Sequence, residues 1–105
     1  MEEKIEIFES NDNQSQTDFY RKFKEKLNQA HSFPTNYIFK FIVPAEQSNI
    51  AMLHAIFENS NASFSSRDSS NGKYTSATVK LLAKNADEII NYYQEVATIK
   101  GVVML

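Results

Sequence analysis

The sequence has no cysteine, and only two glycines and two prolines among its 105 residues. Without cysteine there is no disulfide framework, no thiolate metal site and no cysteine nucleophile. No apolar run approaches the roughly 20 residues that a membrane-spanning helix requires. A basic excess is missing too. Residues 1–36 carry five Lys/Arg against seven Asp/Glu, and residues 37–105 carry six of each. A chain that binds nucleic acid by neutralising phosphates normally shows such an excess. The opening, Met1 to Asn13, is acidic and polar, the reverse of the basic-then-apolar order of a signal peptide. These absences lead to the expectation of a cytoplasmic protein with neither membrane nor nucleic acid as partner.

What is present suffices for one domain. Hydrophobic residues make up 42% of the chain, and a chain of this size buries about two thirds of the surface that its unfolded form exposes. Met1–Gln16 reads as a flexible acidic tail, with Glu2, Glu3, Glu6 and Glu9 at its front and a brief Ile5/Ile7 alternation. From Thr17, a plausible N-cap, Phe19, Tyr20, Phe23 and Leu27 recur at helical spacing. This predicts an amphipathic helix to about Ala30, followed by a linker to Asn36 that contains Phe33-Pro34.

Residues 37–105 form the predicted body. Tyr37, Phe39, Phe41 and Val43 alternate with Ile38, Lys40 and Ile42, which predicts a central strand ended by Pro44. Glu46–Asn59 carries the helical stripe Ile50, Leu53, Ile56 and Phe57. Ala62–Ser69 is a weaker strand with Phe64 as its one large inward candidate, and Ser69-Ser70-Asn71-Gly72 has the composition of a tight turn. Tyr74–Ala83 follows as a second strand, with Thr75, Ala77, Val79 and Leu81 on one face and Tyr74, Ser76, Thr78 and Lys80 on the other. Asn85 with Glu88 resembles a capping box, and Ile89, Ile90, Tyr93, Val96 and Ala97 supply the next stripe. Gly101 stands where a helix terminator belongs, before a short strand over Val102–Leu105.

The order of the body is therefore βαββαβ. Crossovers are right-handed and only the middle pair of strands is joined by a tight turn. The economical solution is an α+β, ferredoxin-like fold: a four-stranded antiparallel sheet in order 4-1-3-2 with two helices on one face, plus the extra N-terminal helix.

Two stretches carry a resemblance. Phe33-Pro34-Thr35-Asn36-Tyr37-Ile38-Phe39-Lys40 and Ser69-Ser70-Asn71-Gly72-Lys73-Tyr74-Thr75-Ser76 resemble the YbeD-like family of small bacterial proteins, domain of unknown function family 493, over about residues 33–105. The resemblance implies a ferredoxin-like fold similar to the ACT regulatory domains, which sense amino acids in metabolic enzymes. It supplies no catalytic residues. The chain departs from the pattern in its longer acidic N-terminus, its extra helix, and the lack of glycine in the turn Val43-Pro44-Ala45-Glu46.

The residues themselves point to no catalysis, cofactor or metal. His31 and His54 are the only histidines, and neither has carboxylate or histidine partners at ligand spacing. His54 falls between stripe positions and is expected at the surface. Glu46 and Glu58 lie near opposite ends of one helix, too far apart for paired-carboxylate work. The expectation is a non-enzymatic regulatory or adaptor module, a monomer or weak homodimer, with a small-molecule effector or a protein as partner. An ACT-like sensor would use the cleft around the turn 43–48, with Pro44, Glu46 and Ser48. A protein-interaction module would use the open sheet face, with Lys40, Arg67, Tyr74, Ser76 and Lys80, or the N-terminal helix. That helix is also a candidate to cover the open face in cis. RNA recognition ranks behind both, because base stacking on such a sheet needs aromatics where Ser76 and Thr78 stand.

Overall fold

The alternation of apolar and polar side chains from Thr35 to Pro44 and from Tyr74 to Ala83 produces two ten-residue strands, β1 and β3. They pair antiparallel along their whole length, Phe39 opposite Val79 and Phe41 opposite Ala77. The computed structural model describes residues 13–105. Along the chain it shows α1 (Asn13–Ala30), β1 (Thr35–Pro44), α2 (Gln47–Phe57), β2 (Ser63–Asp68), β3 (Tyr74–Ala83), α3 (Ala86–Val96) and β4 (Val103–Met104). The sheet has four strands in order β4-β1-β3-β2, every neighbouring pair antiparallel. This is the expected order, with the two most apolar strands at the centre. The reading of residues 1–12 as a tail falls outside the described residues.

One face of the sheet is the floor of the core. Phe39, Phe41, Val43, Ala77, Val79, Leu81 and Ala83 are all buried there. The rings of Phe39 and Phe41 lie 5.4 and 6.0 Å from Phe57 of α2, and 5.0 and 6.2 Å from Tyr93 of α3. Phe23 of α1 meets the same Tyr93 ring at 5.4 Å, and Leu27 is buried in the common core. All three helices therefore stack on one side of the sheet.

Several elements depart from the expected boundaries. The first helix starts at Asn13, so Thr17 lies inside it rather than at its cap. α2 spans Gln47–Phe57, with Glu46 at its N-cap making no side-chain capping bond. The buried residue of its first turn is Asn49, not Ile50, because the Asn49 amide donates to the Pro44 carbonyl at 3.0 Å. A hydrogen-bonded polar side chain is buried at little cost. The β4 ladder is shortened to two residues, with Leu105 N–H donating to the Lys40 carbonyl at 2.9 Å.

The caps and turns follow local chemistry. Asn85 Oδ1 accepts the Glu88 N–H at 2.9 Å, while Glu88 Oε1 reaches past the cap to the Lys84 N–H at 3.1 Å. The hairpin between β2 and β3 is held by its own side chains. Asn71 Oδ1 accepts from the Ser69 hydroxyl at 2.7 Å and from the Lys73 N–H at 3.0 Å, and Ser69 Oγ accepts the Tyr74 N–H at 3.1 Å. Gly72 turns the corner at φ +71, a conformation that costs glycine little.

Candidate functional site

The second face of the sheet has no helix on it. Because strand side chains alternate, burying Phe39, Phe41 and Val43 forces Ile38, Lys40 and Ile42 to the opposite side. β3 presents Tyr74, Ser76, Thr78, Lys80 and Leu82 beside them, and β2 adds Ser63, Ser65 and Arg67. The register sets these side chains in rungs. Lys80 stands between Ile38 and Ser63, Thr78 between Lys40 and Ser65, and Ser76 between Ile42 and Arg67. Asn36 and Leu82 form one end, Pro44 and Tyr74 the other.

The face is apolar and cationic at once. Ile38 is 51% exposed, Leu82 60% and Tyr74 48%, three of the four large hydrophobic residues most open to solvent among those described. Lys40, Lys80 and Arg67 are interleaved with them, and no Asp or Glu occupies an outward position on these three strands. Rungs repeat at about 4.8 Å across strands, and side chains on one strand face at about 7 Å. The patch therefore matches an extended segment better than a compact ligand.

Of the eight residues singled out from the sequence, the structure gathers Lys40, Arg67, Ser76 and Lys80 on this face, with Tyr74 at its margin. Glu46 and Ser48 lie elsewhere, exposed at the start of α2. Pro44 joins the two regions, half-buried against Gly101. The turn around it is closed on itself. Ala45 N–H donates to the Lys73 carbonyl at 2.9 Å, and Glu46 N–H to the Pro44 carbonyl, which also accepts from Asn49. Leu82 was missed as a surface residue, although the parity of Tyr74, Ser76, Thr78 and Lys80 extends to it.

The N-terminal helix does not cover this face, contrary to one expectation. Its apolar stripe goes to α3 instead, and an ion pair of Lys24 Nζ with Asp87 Oδ1 at 3.0 Å spans the two helices. The histidines stay apart. His54 is exposed and stacks on Phe64 with ring centroids 3.9 Å apart, whereas His31 sits near Phe33 and Tyr37. Among the described residues, no three His, Cys, Asp or Glu side chains converge, and no helix is long and apolar enough to cross a membrane.

The Ser69–Tyr74 hairpin and the Phe33–Lys40 strand entry, both now placed in the sheet, are the stretches that carried the resemblance. The chain belongs to the DUF493 family. That family, described as a protein of unknown function, matches residues 28–105. The match begins within the last turn of α1 and covers the entire sheet with α2 and α3. No curated protein and no solved structure matches the chain.

Proposed function

We propose that this protein is a non-enzymatic adaptor, built on a ferredoxin-like βαββαβ body, which works in the cytoplasm by binding another protein through its open sheet face. The observation that carries this reading is the pairing of exposed Ile38, Leu82 and Tyr74 with Lys40, Lys80 and Arg67 on a face that no helix covers. Contiguous exposed apolar surface rimmed by polar groups marks contact sites in proteins that otherwise bury such residues. The regulatory alternative, an ACT-like sensor of small metabolites at the turn 43–48, has weaker support, because the backbone groups of that turn bond to one another. RNA stacking has one aromatic to offer, Tyr74, with Ser76 and Thr78 in the positions behind it.

The test uses the full chain as bait in its native cell, beside Leu82→Asp on the open face and Met52→Asp on exposed α2. The adaptor reading expects a protein that the wild type and Met52→Asp retain and Leu82→Asp loses. Capture unaffected by Leu82→Asp rejects it. A saturable rise in melting temperature with amino acids or other metabolites, which stabilise a fold by mass action, puts the sensor in its place.

A further inference from the structure

The open face lacks anions, and the charge of its surroundings limits what can lie on it. Two copies placed face to face would bring Lys40, Lys80 and Arg67 of each against like charges of the other, an arrangement that disfavours the pairing. An extended segment that is both acidic and apolar meets the requirement. The chain supplies one. Residues 1–12, outside the described residues, hold Glu2, Glu3, Glu6, Glu9 and Asp12 against Lys4 alone, with Ile5, Ile7 and Phe8 among them. In an extended chain alternate residues share a side, which sets Glu3, Ile5, Ile7 and Glu9 in one row: two isoleucines flanked by two carboxylates.

We propose that residues 3–9 occupy the open sheet face in cis, Ile5 and Ile7 against Ile38 and Leu82, with Glu3 and Glu9 facing the cations Lys80, Lys40 and Arg67. Reach permits it. Ile7 and Ile5 precede Asn13, the start of α1, by six and eight residues, about 20 and 26 Å when extended. The thinnest dimension of the protein is 28 Å. Occupation in cis also makes the segment an internal competitor for the partner. That consequence rests on the adaptor reading above, whereas the docking itself does not.

The absence of cysteine makes a direct test available, since Ser10→Cys creates a single attachment point for a nitroxide label. In the full chain at low salt, the label is expected to bleach the amide signals of Ile38, Lys40, Lys80 and Leu82 most strongly and to leave those of Met52 and Ala55 on α2 sharp. Combined Ile5→Asp and Ile7→Asp is expected to abolish the bleaching without changing the melting temperature of the body. Lys80→Glu is expected to weaken it severalfold, and Glu3→Lys with Glu9→Lys in that background to restore it. Bleaching spread evenly over all faces, or none, overturns the proposal. So does bleaching of an isotope-labelled, unspin-labelled chain by a labelled one, which assigns the face to a second copy. Partner capture separates the two claims: an Ile5→Asp/Ile7→Asp bait that retains severalfold more partner than wild type supports the competitor. Localised bleaching without any partner leaves the docking standing and rejects the adaptor.

Discussion

The hydroxyls of Tyr37 and Tyr93 lie 2.9 Å apart, joining the start of β1 to the middle of α3 through a hydrogen bond within the core. Burial pushes the Tyr93 phenol far above its ordinary value of 10.0, and the neighbouring Tyr37 pushes it in the same direction. The folded chain therefore keeps this proton at pH values where the unfolded chain releases it. Below pH 10 the linkage contributes nothing, and above it stability falls by up to about 1.4 kcal/mol per pH unit. Tyr93→Phe is expected to make that decline shallower in denaturant titrations at pH 9 to 11. At neutral pH it should cost about 1 kcal/mol for the lost hydrogen bond. An unchanged alkaline slope would contradict this account of Tyr93.

Phe41 is fully buried between Phe57 and Tyr93, while its neighbour Lys40 points to the opposite face. Phe41→Ala is expected to cost about 3–5 kcal/mol, enough to leave an ordinary domain largely unfolded. Lys40→Ala should stay within about 0.5 kcal/mol of wild type in urea unfolding. Equal costs at the two positions would mean that the face assignment is wrong.

The two glycines should respond differently to alanine. Both have positive φ, +71 at Gly72 and +81 at Gly101. A Cβ at Gly72 meets nothing within 4 Å, so the cost is that of the backbone alone, about 1 kcal/mol. At Gly101 the added carbon would stand 2.9 Å from Pro44 Cγ, and the rigid ring cannot swing aside. Gly101→Ala is expected to be the more destabilising of the two, and a thermal melt giving the opposite order would reject this reading of the Pro44 contact.

Docking of α1 rests on its apolar stripe rather than on its ion pair. Leu27 is buried, whereas Lys24 and Asp87 remain well exposed where they meet. Leu27→Ala should cost about 2–5 kcal/mol and Lys24→Ala less than about 1 kcal/mol. In hydrogen exchange, the amides from Phe23 to Leu27 are expected to be protected along with the sheet. Fast exchange there beside a protected sheet would show that the helix is not held.

Much of this molecule is determined locally. The alternation through Tyr37–Val43 and Tyr74–Ala83 determined which side chains face the helices, because a strand admits only two sides and one of them was nearly all apolar. Gly72 and Asn85 marked a turn and a helix start through backbone chemistry that needs no distant partner. The cationic set Lys40, Arg67 and Lys80 followed from the same alternation once the sheet order was deduced.

Other features were decided by tertiary structure alone. Asn13–Gln16 carries no apolar period and no strong cap, so the true start of α1 had no local signal. Asn49 reads as a surface residue by hydropathy, and only the folded turn brings the Pro44 carbonyl to its amide. The approach of Gly101 to Pro44 joins positions far apart in the chain. Most consequential is the placement of α1. A stripe of Phe19, Tyr20, Phe23 and Leu27 requires burial, but periodicity names no partner. The choice fell to the ring of Tyr93 and the carboxylate of Asp87 on α3. Packing depends on the shape of a surface that exists only after the chain has folded, and this packing is what leaves the opposite face of the sheet open.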